Sequence, residues 1–547
     1  MSAVAVVKKK SPIPFAIAAG LVLLLPLLGK GGLLASAILL SALAGAPLFF
    51  IIGMVTVLSF ILWGGFHQLN EFSVLIERIR TLADNPTLLA IPLFIMSGAV
   101  MSKGHISRRL IDFAEALVGW VPGGLAMSGV IACMLFAAIS GSSPATVIAI
   151  GGMMGPTLLA ANYSERFSHG LLTSAGSLGI LIPPSIPMII YPIVNQGSFI
   201  EVERLFASGI GPGLVIGSIL MGFCFVQGVR NKTPRNPFAL KKLGIALRDG
   251  FWALMFPALV LGGIYLGFFN AVEAAAISVV YAVVVEVFIH GAIRIRELPK
   301  IFQETGVFLG SLLVIMVAAL AFSEFLEGQG IPQAMVEWIR SMNLSQWQFL
   351  IALNVLLLVV GMAMDILSAM FVFVPLLAPV ATAMGVSPIH FGIIFIVNLE
   401  IGYLTPPVGL NLFVASALFE KPIGHMIRSV MPFIALMLVG LGLVTYVPAI
   451  SIGLGDVIID SLSGAPARPT PTPSSGPGMP LSDEPDEATP AGGDGHVQSL
   501  EEMMRELEGT GTDGEAGDGT GAAPSSADDG HVQSLEEMMR EAQEAAP

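Results

Sequence analysis

The chain has 547 residues, 54% of them hydrophobic and 12% charged, with a mean hydropathy of +0.82. Such a composition excludes a soluble globular domain and predicts an all-α polytopic membrane protein. The formal net charge of −13 is uneven: residues 455–547 hold 20 Asp and Glu against 3 Arg, so a slightly basic body carries an acidic tail, and neither has the footprint of a nucleic-acid binder.

Lys8, Lys9 and Lys10 precede an apolar run over 12–29. Further spans follow at once, so residues 1–30 read as an extra, uncleaved N-terminal helix with its start in the cytoplasm. The run 33–63 exceeds one upright span and breaks near Gly45-Ala46-Pro47, giving one kinked helix or two short ones. Between 69 and 82, Phe72, Leu75, Ile76, Ile79 and Leu82 recur at helical spacing with charges between them, which predicts a helix lying in the interface plane. An apolar segment over 86–101 leads to an amphipathic stretch with Arg108, Arg109, Asp112 and Glu115. Residues 31–124 thus read as scaffold helices, an arm helix and the start of a first repeat.

The apolar run 125–140 ends in Ser140-Gly141-Ser142-Ser143-Pro144-Ala145-Thr146, a small, hydroxyl-rich break. At membrane depth such a loop persists only inside protein or against a cavity, so two short limbs joined by it predict a re-entrant hairpin. Next, Gly179-Ile180-Leu181-Ile182-Pro183-Pro184-Ser185-Ile186-Pro187 interrupts another apolar run. Prolines there remove helical hydrogen bonds and leave backbone groups without partners. Residues 125–200 therefore read as a hairpin plus a broken helix.

A long helix over 205–229 leads to the densest basic loop, with Arg230, Lys232, Arg235, Lys241, Lys242 and Arg248, expected in the cytoplasm. Pro257 to Ile289 contains a Gly-rich break before Glu273, residues 294–302 form a second charged arm, 306–322 another span, and Glu324, Glu327, Glu337 and Arg340 mark a second polar-faced stretch, so 201–348 reads as scaffold. Residues 349–420 then repeat the hairpin and broken helix, with Asp365 after the first limb and Gly402-Tyr403-Leu404-Thr405-Pro406-Pro407-Val408-Gly409-Leu410-Asn411 as the break. A last helix covers 421–454. Shifting the first half by 223 residues places Pro156 on Pro379, Gly179 on Gly402, Pro183 on Pro406, Pro184 on Pro407 and Ser142 on Asp365. Two halves with matching interruptions are the sequence pattern of a secondary transporter whose site lies between them.

From Gly455 the hydropathy collapses into a Pro-, Ser- and Gly-rich acidic tail expected to be disordered. In it the thirteen residues from Asp494 to Glu506 recur unchanged from Asp529 to Glu541, which reads as a duplicated short partner-docking helix or as a duplication without function. Cys133 and Cys224 sit in apolar runs and read as small buried hydrophobes.

An ionisable group inside an apolar helix costs about 2.5–3.5 kcal/mol on insertion scales, so Asp365 is expected to face an ion, a substrate or a partner helix. Glu273 and Glu400 read equally as buried partners or as transport residues, and His390, at a segment start, as structural. Single serines suit close helix packing, but the cluster Ser140, Ser142, Ser143 and Thr146 at a Gly/Pro break points to a binding role. Asn398 and Asn411 flank the second double proline as candidate ligands. No nucleophile with a base, no metal-spaced His or Cys and no phosphate loop argues for an enzyme.

Residues 33–450 resemble the large membrane subunit of the tripartite ATP-independent periplasmic (TRAP) transporters. The match is carried by the serine hairpin, by residues 178–187, by His390-Phe391-Gly392-Ile393-Ile394, by Asn398-Leu399-Glu400-Ile401-Gly402 and by Thr405-Pro406-Pro407-Val408-Gly409-Leu410-Asn411-Leu412-Phe413. The resemblance implies an inverted-repeat, elevator-type permease in a bacterial inner membrane. Its two hairpins and two broken helices would slide along a scaffold braced by interfacial arm helices. It also implies sodium-driven import of an organic acid such as a C4-dicarboxylate, a periplasmic binding protein and a separate four-helix membrane subunit as partners, and no cofactor beyond Na⁺ as coupling ion. Sodium takes hard oxygen donors. Ser140, Gly141, Ser142, Ser143 and Thr146 with Gly179, Ile182, Pro183 and Pro184 offer them in the first half. Asp365, Asn398, Gly402, Thr405, Pro406, Pro407, Gly409 and Asn411 do so in the second. Ser142, Asp365 and Thr405 are the expected Na⁺ ligands, with Asp365 and Thr405 in one site. Helix N-termini and the bound cations would hold the anion. The competing readings are a stand-alone ion-coupled dicarboxylate exchanger and a membrane anchor that recruits partners through its tail.

Overall fold

The computed structural model describes residues 29–463, apart from positions 47, 196, 199 and 238 and residues 65–79, 81–84 and 234–236. The first helix, the interfacial helix expected over 69–82 and the tail with its duplicated motif lie essentially outside the described residues. The chain divides into Met1–Pro473 and Ser474–Pro547, and all that follows concerns the first unit. Among the described residues every regular element is helical, and eight helices are long and apolar enough to cross a bilayer, or up to nine if one bent pair is a single span.

The run 33–63 forms two helices, α1 (Lys30–Leu43) and α2 (Leu48–Ser59), because Gly45 turns the chain at a left-handed φ of 74°. Next come α3 (Ala90–Lys103) and the amphipathic α4 (Ile106–Val118), which buries Ile106, Leu110, Ile111 and Ala114 and keeps Arg108 and Asp112 outside. The first hairpin is α5 (Gly124–Ser140) and α6 (Ser143–Ala160). The first broken helix is α7 (Glu165–Ser177) and α8 (Ile186–Val194).

Helix α9 (Val202–Arg230) leads to α10 (Leu240–Asp249) and α11 (Phe251–Tyr265), which bend by 65° at Gly250. No residue of α10 is buried, as suits an arm lying on the surface. Helix α12 (Ala271–Val283) starts from a capping box in which Asn270 and Glu273 satisfy each other's backbone N–H groups, so Glu273 is a capping residue. The charged stretch 294–302 is no separate arm. It runs directly into α13 (Leu298–Gly328), since Pro299 in the first turn starts a helix without costing it a hydrogen bond. The polar-faced stretch near 337 is α14 (Ile331–Ser341), which buries only Pro332.

The second half then follows: α15 (Gln346–Ala363) and α16 (Ile366–Ala383) form a hairpin, α17 (Pro388–Gly402) and α18 (Leu410–Leu418) a broken helix, and α19 (Ile423–Tyr446) the last long span. Helix α20 (Ile452–Ser463) packs back on α9, where Arg204 pairs with Asp456 at 2.7 Å. Spacing of 223 residues relates both ends of α6 to α16 and the start of α7 to that of α17, and the cis bonds Pro183–Pro184 and Pro406–Pro407 keep the same spacing.

The two broken helices lie antiparallel. Lys421, just past the end of α18, pairs with Glu165 at the start of α7 at 3.1 Å, and Tyr191 near the end of α8 donates to the carbonyl of Pro388 at the start of α17 at 2.7 Å. The Lys421 ammonium holds the Glu165 carboxyl below the usual carboxylate range.

One buried charged network ties α4 to the scaffold. Glu286, fully buried at the end of the α12 span, bonds His290 Nδ1 at 2.9 Å and accepts from His105 N at 3.3 Å, while Arg109 meets His290 Nε2 and the Asp249 carbonyl, each at 2.8 Å. Gly104 makes room for it, since a Cβ there would lie 1.9 Å from Glu286 Oε2. Glu286→Ala leaves these donors without their acceptor and is expected to destabilise the protein by about 3 kcal/mol. A thermal melt in detergent reads this as a lowered midpoint; an unchanged midpoint counts against the network.

Candidate functional site

Helix α5 stops at Ser140 because Gly141 takes a left-handed φ of 57°, and α6 restarts at once with Pro144 in its first turn. This sharp reversal gathers oxygens. Thr146 Oγ1 donates to the Ser142 carbonyl at 2.8 Å and lies 3.1 Å from Ser140 Oγ, which is 3.3 Å from the same carbonyl. Three uncharged hard donors thus share one small volume, the type of donor a hard cation takes. The Ser142 side chain makes no capping bond, so it leaves the N-terminal amides of α6 uncovered by its own hydroxyl.

The break of α7 closes on this tip. A Cβ on Gly179 would lie 2.6 Å from the Ser142 carbonyl and 2.7 Å from Thr146 Oγ1, and one on Gly141 would lie 2.8 Å from the Pro184 carbonyl. The backbones therefore touch only because both residues lack a side chain. The tip meets the middle of the broken helix, so the hairpin turns back inside the helical layer. After the tip contact, the half-buried Ile182 still bonds the Leu178 carbonyl at 3.2 Å, and Ser185 Oγ donates to the freed Ile180 carbonyl at 2.5 Å.

In the second half Asp365 is the N-cap of α16. One carboxylate oxygen accepts from Leu367 N and Ser368 N at 3.1 Å each, and the other bonds the Ser368 hydroxyl. Thr405 turns its hydroxyl onto the Ile401 carbonyl at 2.8 Å. The hydrogen bonds of Asp365 and Thr405 are thus local. What joins hairpin to break is Tyr403, whose hydroxyl accepts from Ile366 N at 2.8 Å, and the N–H of Val408, which donates to the Met362 carbonyl at 3.2 Å. Gly402 packs backbone to backbone on Gly361, and Gly409, with a φ of 51°, lets the chain re-enter α18 beyond the cis Pro406–Pro407 bond.

Asn411 links the two halves. Its Nδ2 bonds Ser143 Oγ at the first hairpin, 268 residues away, and its backbone N–H bonds the Tyr403 carbonyl at 3.1 Å. Its buried Oδ1 has no hydrogen-bond partner among the described residues. Asn398 faces elsewhere: Nδ2 bonds Asn354 Oδ1 and the Ile394 carbonyl, each at 2.8 Å, and Asn354 continues to Thr445 on α19. His390 bonds Ser451 and the Thr445 carbonyl, a structural tie between α17 and the start of α20.

The structure therefore brings together Ser140, Ser142, Thr146 and Gly179, and separately Ser143 and Asn411. It adds Tyr403 and the Ser177–Glu400 contact at 3.0 Å. Tyr403 stood inside the quoted motif, but nothing local marks a tyrosine as a bridge to a hairpin 37 residues upstream. Asn354 carried a usable signal, an amide alone in an apolar span. Among the described residues no group of three His, Cys, Asp or Glu is placed to hold a metal ion.

Residues 34–450 match the family described as the tripartite ATP-independent periplasmic transporter, DctM component. The chain is 42% identical over 386 residues, 69% of its length, to the C4-dicarboxylate TRAP transporter large permease protein DctM of Pseudomonas aeruginosa, of which 90% is covered. It is 33% identical to the ectoine TRAP transporter large permease TeaC of Halomonas elongata, over 76% of this chain and 96% of that one. The isethionate TRAP transporter permease DctMQ of Oleidesulfovibrio alaskensis is 38% identical over 68% of this chain, and 58% of that longer protein is matched. In fold, the chain is similar to the YdaH transporter of Alcanivorax borkumensis, with a TM-score of 0.54 at 15% identity, covering 77% of this chain and 99% of that one.

Proposed function

The chain belongs to the DctM family of TRAP transporter large permeases, and from that premise we propose that it imports a C4-dicarboxylate or similar small carboxylate by sodium-coupled, elevator-type movement. The observation that carries this reading is the meeting of the hydroxyl-rich hairpin tip with the glycine of a broken helix, which supplies hard oxygen donors away from bulk water. Ser140, Ser142 and Thr146 hold one sodium ion there. Asp365 and Thr405 belong to the second-half site, and Tyr403 links its hairpin to its break.

The anion binds between the tips. Asp365 already covers the N-terminus of α16 with a carboxylate, whereas the N-terminus of α6 has no capping side chain, so the substrate carboxylate sits at α6 near Ser143 and Asn411. The mobile part consists of residues 125–200 and 349–420, and the remaining helices, with α4, α10 and α14 as arms, are the scaffold. The face bearing Lys103, Arg109, Arg230, Lys242 and Lys421 is cytoplasmic by the positive-inside rule, in a bacterial inner membrane. A periplasmic binding protein and a small four-helix subunit complete the transporter.

The test is uptake of labelled succinate into proteoliposomes holding the chain with its small subunit and binding protein. Uptake is expected only with an inward sodium gradient and only with the binding protein present. Uptake that persists without a sodium gradient overturns sodium coupling, and uptake by the chain alone overturns the tripartite arrangement.

A further inference from the structure

The antiparallel broken helices cross where Ser177 meets Glu400, and these two positions are 223 residues apart, the repeat spacing itself. A two-fold operation that exchanges the halves maps each of them onto the other's position. Repeat-related residues can touch only on the axis of that operation, so Ser177 and Glu400 mark the centre of the device. Glu400 is twelve residues into α17, about 18 Å along the helix and near the middle of a bilayer core of about 30 Å.

Glu400 is fully buried, and its Oε2 has no hydrogen-bond partner among the described residues, nor has the hydroxyl of Ser174 one turn before Ser177. Its single partner is uncharged. Ser177 has one hydroxyl hydrogen and two neighbours, the Ser174 carbonyl at 2.7 Å and Glu400 Oε1 at 3.0 Å. When that hydrogen goes to the nearer carbonyl, the contact with Glu400 needs a hydrogen from the carboxyl side.

Among the described residues of the helices packed around Glu400, none offers a positive charge beside it. Helices α8, α15 and α16 carry no Asp, Glu, His, Lys or Arg. On α9 the charged residues Glu203, Arg204 and Arg230 lie at the ends, on α19 His425 and Arg428 lie in the first two turns, and on α7 Glu165, Arg166 and His169 lie at the far end from Ser177. The titratable neighbours Tyr191 and Tyr403 spend their hydroxyls on the Pro388 carbonyl and Ile366 N, and Asp365 caps its own helix. A buried carboxylate without a counter-ion is too costly to persist. Among the described residues the Ser177 hydroxyl is the one group hydrogen-bonded to this carboxyl, fewer oxygens than a sodium ion takes, whereas a proton needs one lone pair.

We infer that Glu400 is a proton-binding site on the two-fold axis, so that a proton accompanies the substrate in addition to sodium. The carboxylate takes a proton from the side where the site is open, travels as the acid and releases the proton to the other side. This rests on the transport reading above. The experiment places the complete transporter in proteoliposomes loaded with the pH dye pyranine, under a fixed sodium gradient, at a pH where succinate is fully ionised. Wild type is expected to acidify the lumen in step with succinate uptake. Glu400→Gln, whose amide cannot take up and release a proton, should lose the acidification, and Ser177→Ala should keep it. Sodium-driven uptake by wild type with no proton movement overturns the proton site alone, whereas absence of sodium-driven uptake overturns the transport reading. A Glu400→Gln protein that still acidifies the lumen places the proton elsewhere and also overturns the assignment. The wild-type measurement decides the matter even if the variant does not fold.

Discussion

Gly402→Val is expected to abolish uptake and to lower the melting temperature of the purified protein. A Cβ at this position would lie 2.5 Å from the carbonyl carbon and 2.6 Å from the Cα of Gly361, and both are backbone atoms of α15 that cannot swing aside. From the other side, a Cβ on Gly361 would lie 3.1 Å from the Cα of Gly402. Two glycines facing each other let the hairpin limb lie directly on the broken helix, and this contact holds the Tyr403 and Val408 bonds in register. Overpacking of this kind costs about 3 kcal/mol, and here it also displaces the break itself. Gly262→Val on α11 is the control, because nothing lies within 4 Å of its Cβ position, and it should transport normally. Full activity of Gly402→Val would show that the backbone contact is dispensable.

Asn411→Ala is expected to reduce the initial rate of uptake about 100-fold, near 2.7 kcal/mol, and to lower the melting temperature modestly. The amide is the direct bond between the second broken helix and the first hairpin, and its truncation leaves the buried Ser143 hydroxyl without its partner. Asn411 also presents a buried side-chain oxygen that has no hydrogen-bond partner among the described residues. Ser143→Ala should cause a smaller loss, and the double variant should be no worse than Asn411→Ala, since the two residues share one interaction. Additive losses would show that they act independently.

These two residues differ in how far the sequence disclosed them. Gly402 stood out as half of a repeated Gly and Pro pair, whereas its opposition to Gly361 had no local sign. Asn411 was marked as an amide beside a double proline, but its partner is 268 positions away. Asp365 shows the reverse case. An aspartate in an apolar run invites an ion-binding reading, yet Asp365-Ile366-Leu367-Ser368 is also an N-cap pattern, and the structure uses it as one. Glu273 follows the same rule with Asn270. A carboxylate at a helix N-cap, or three residues beyond it, can satisfy orphan amides wherever the helix lies, so local chemistry alone left both readings open.

The sequence by itself determined the membrane class, the two interrupted helices, their 223-residue repeat and the family. Each depends on composition or on the local backbone limits of Gly and Pro, which act within a few residues. Only the tertiary structure decided that Ser143 meets Asn411, that Tyr403 bonds the second hairpin, and that Ser177 meets Glu400. Those contacts arise where two antiparallel halves pack together. Hydrophobic periodicity specifies which face of a helix is buried, but not which residue of the other half it meets.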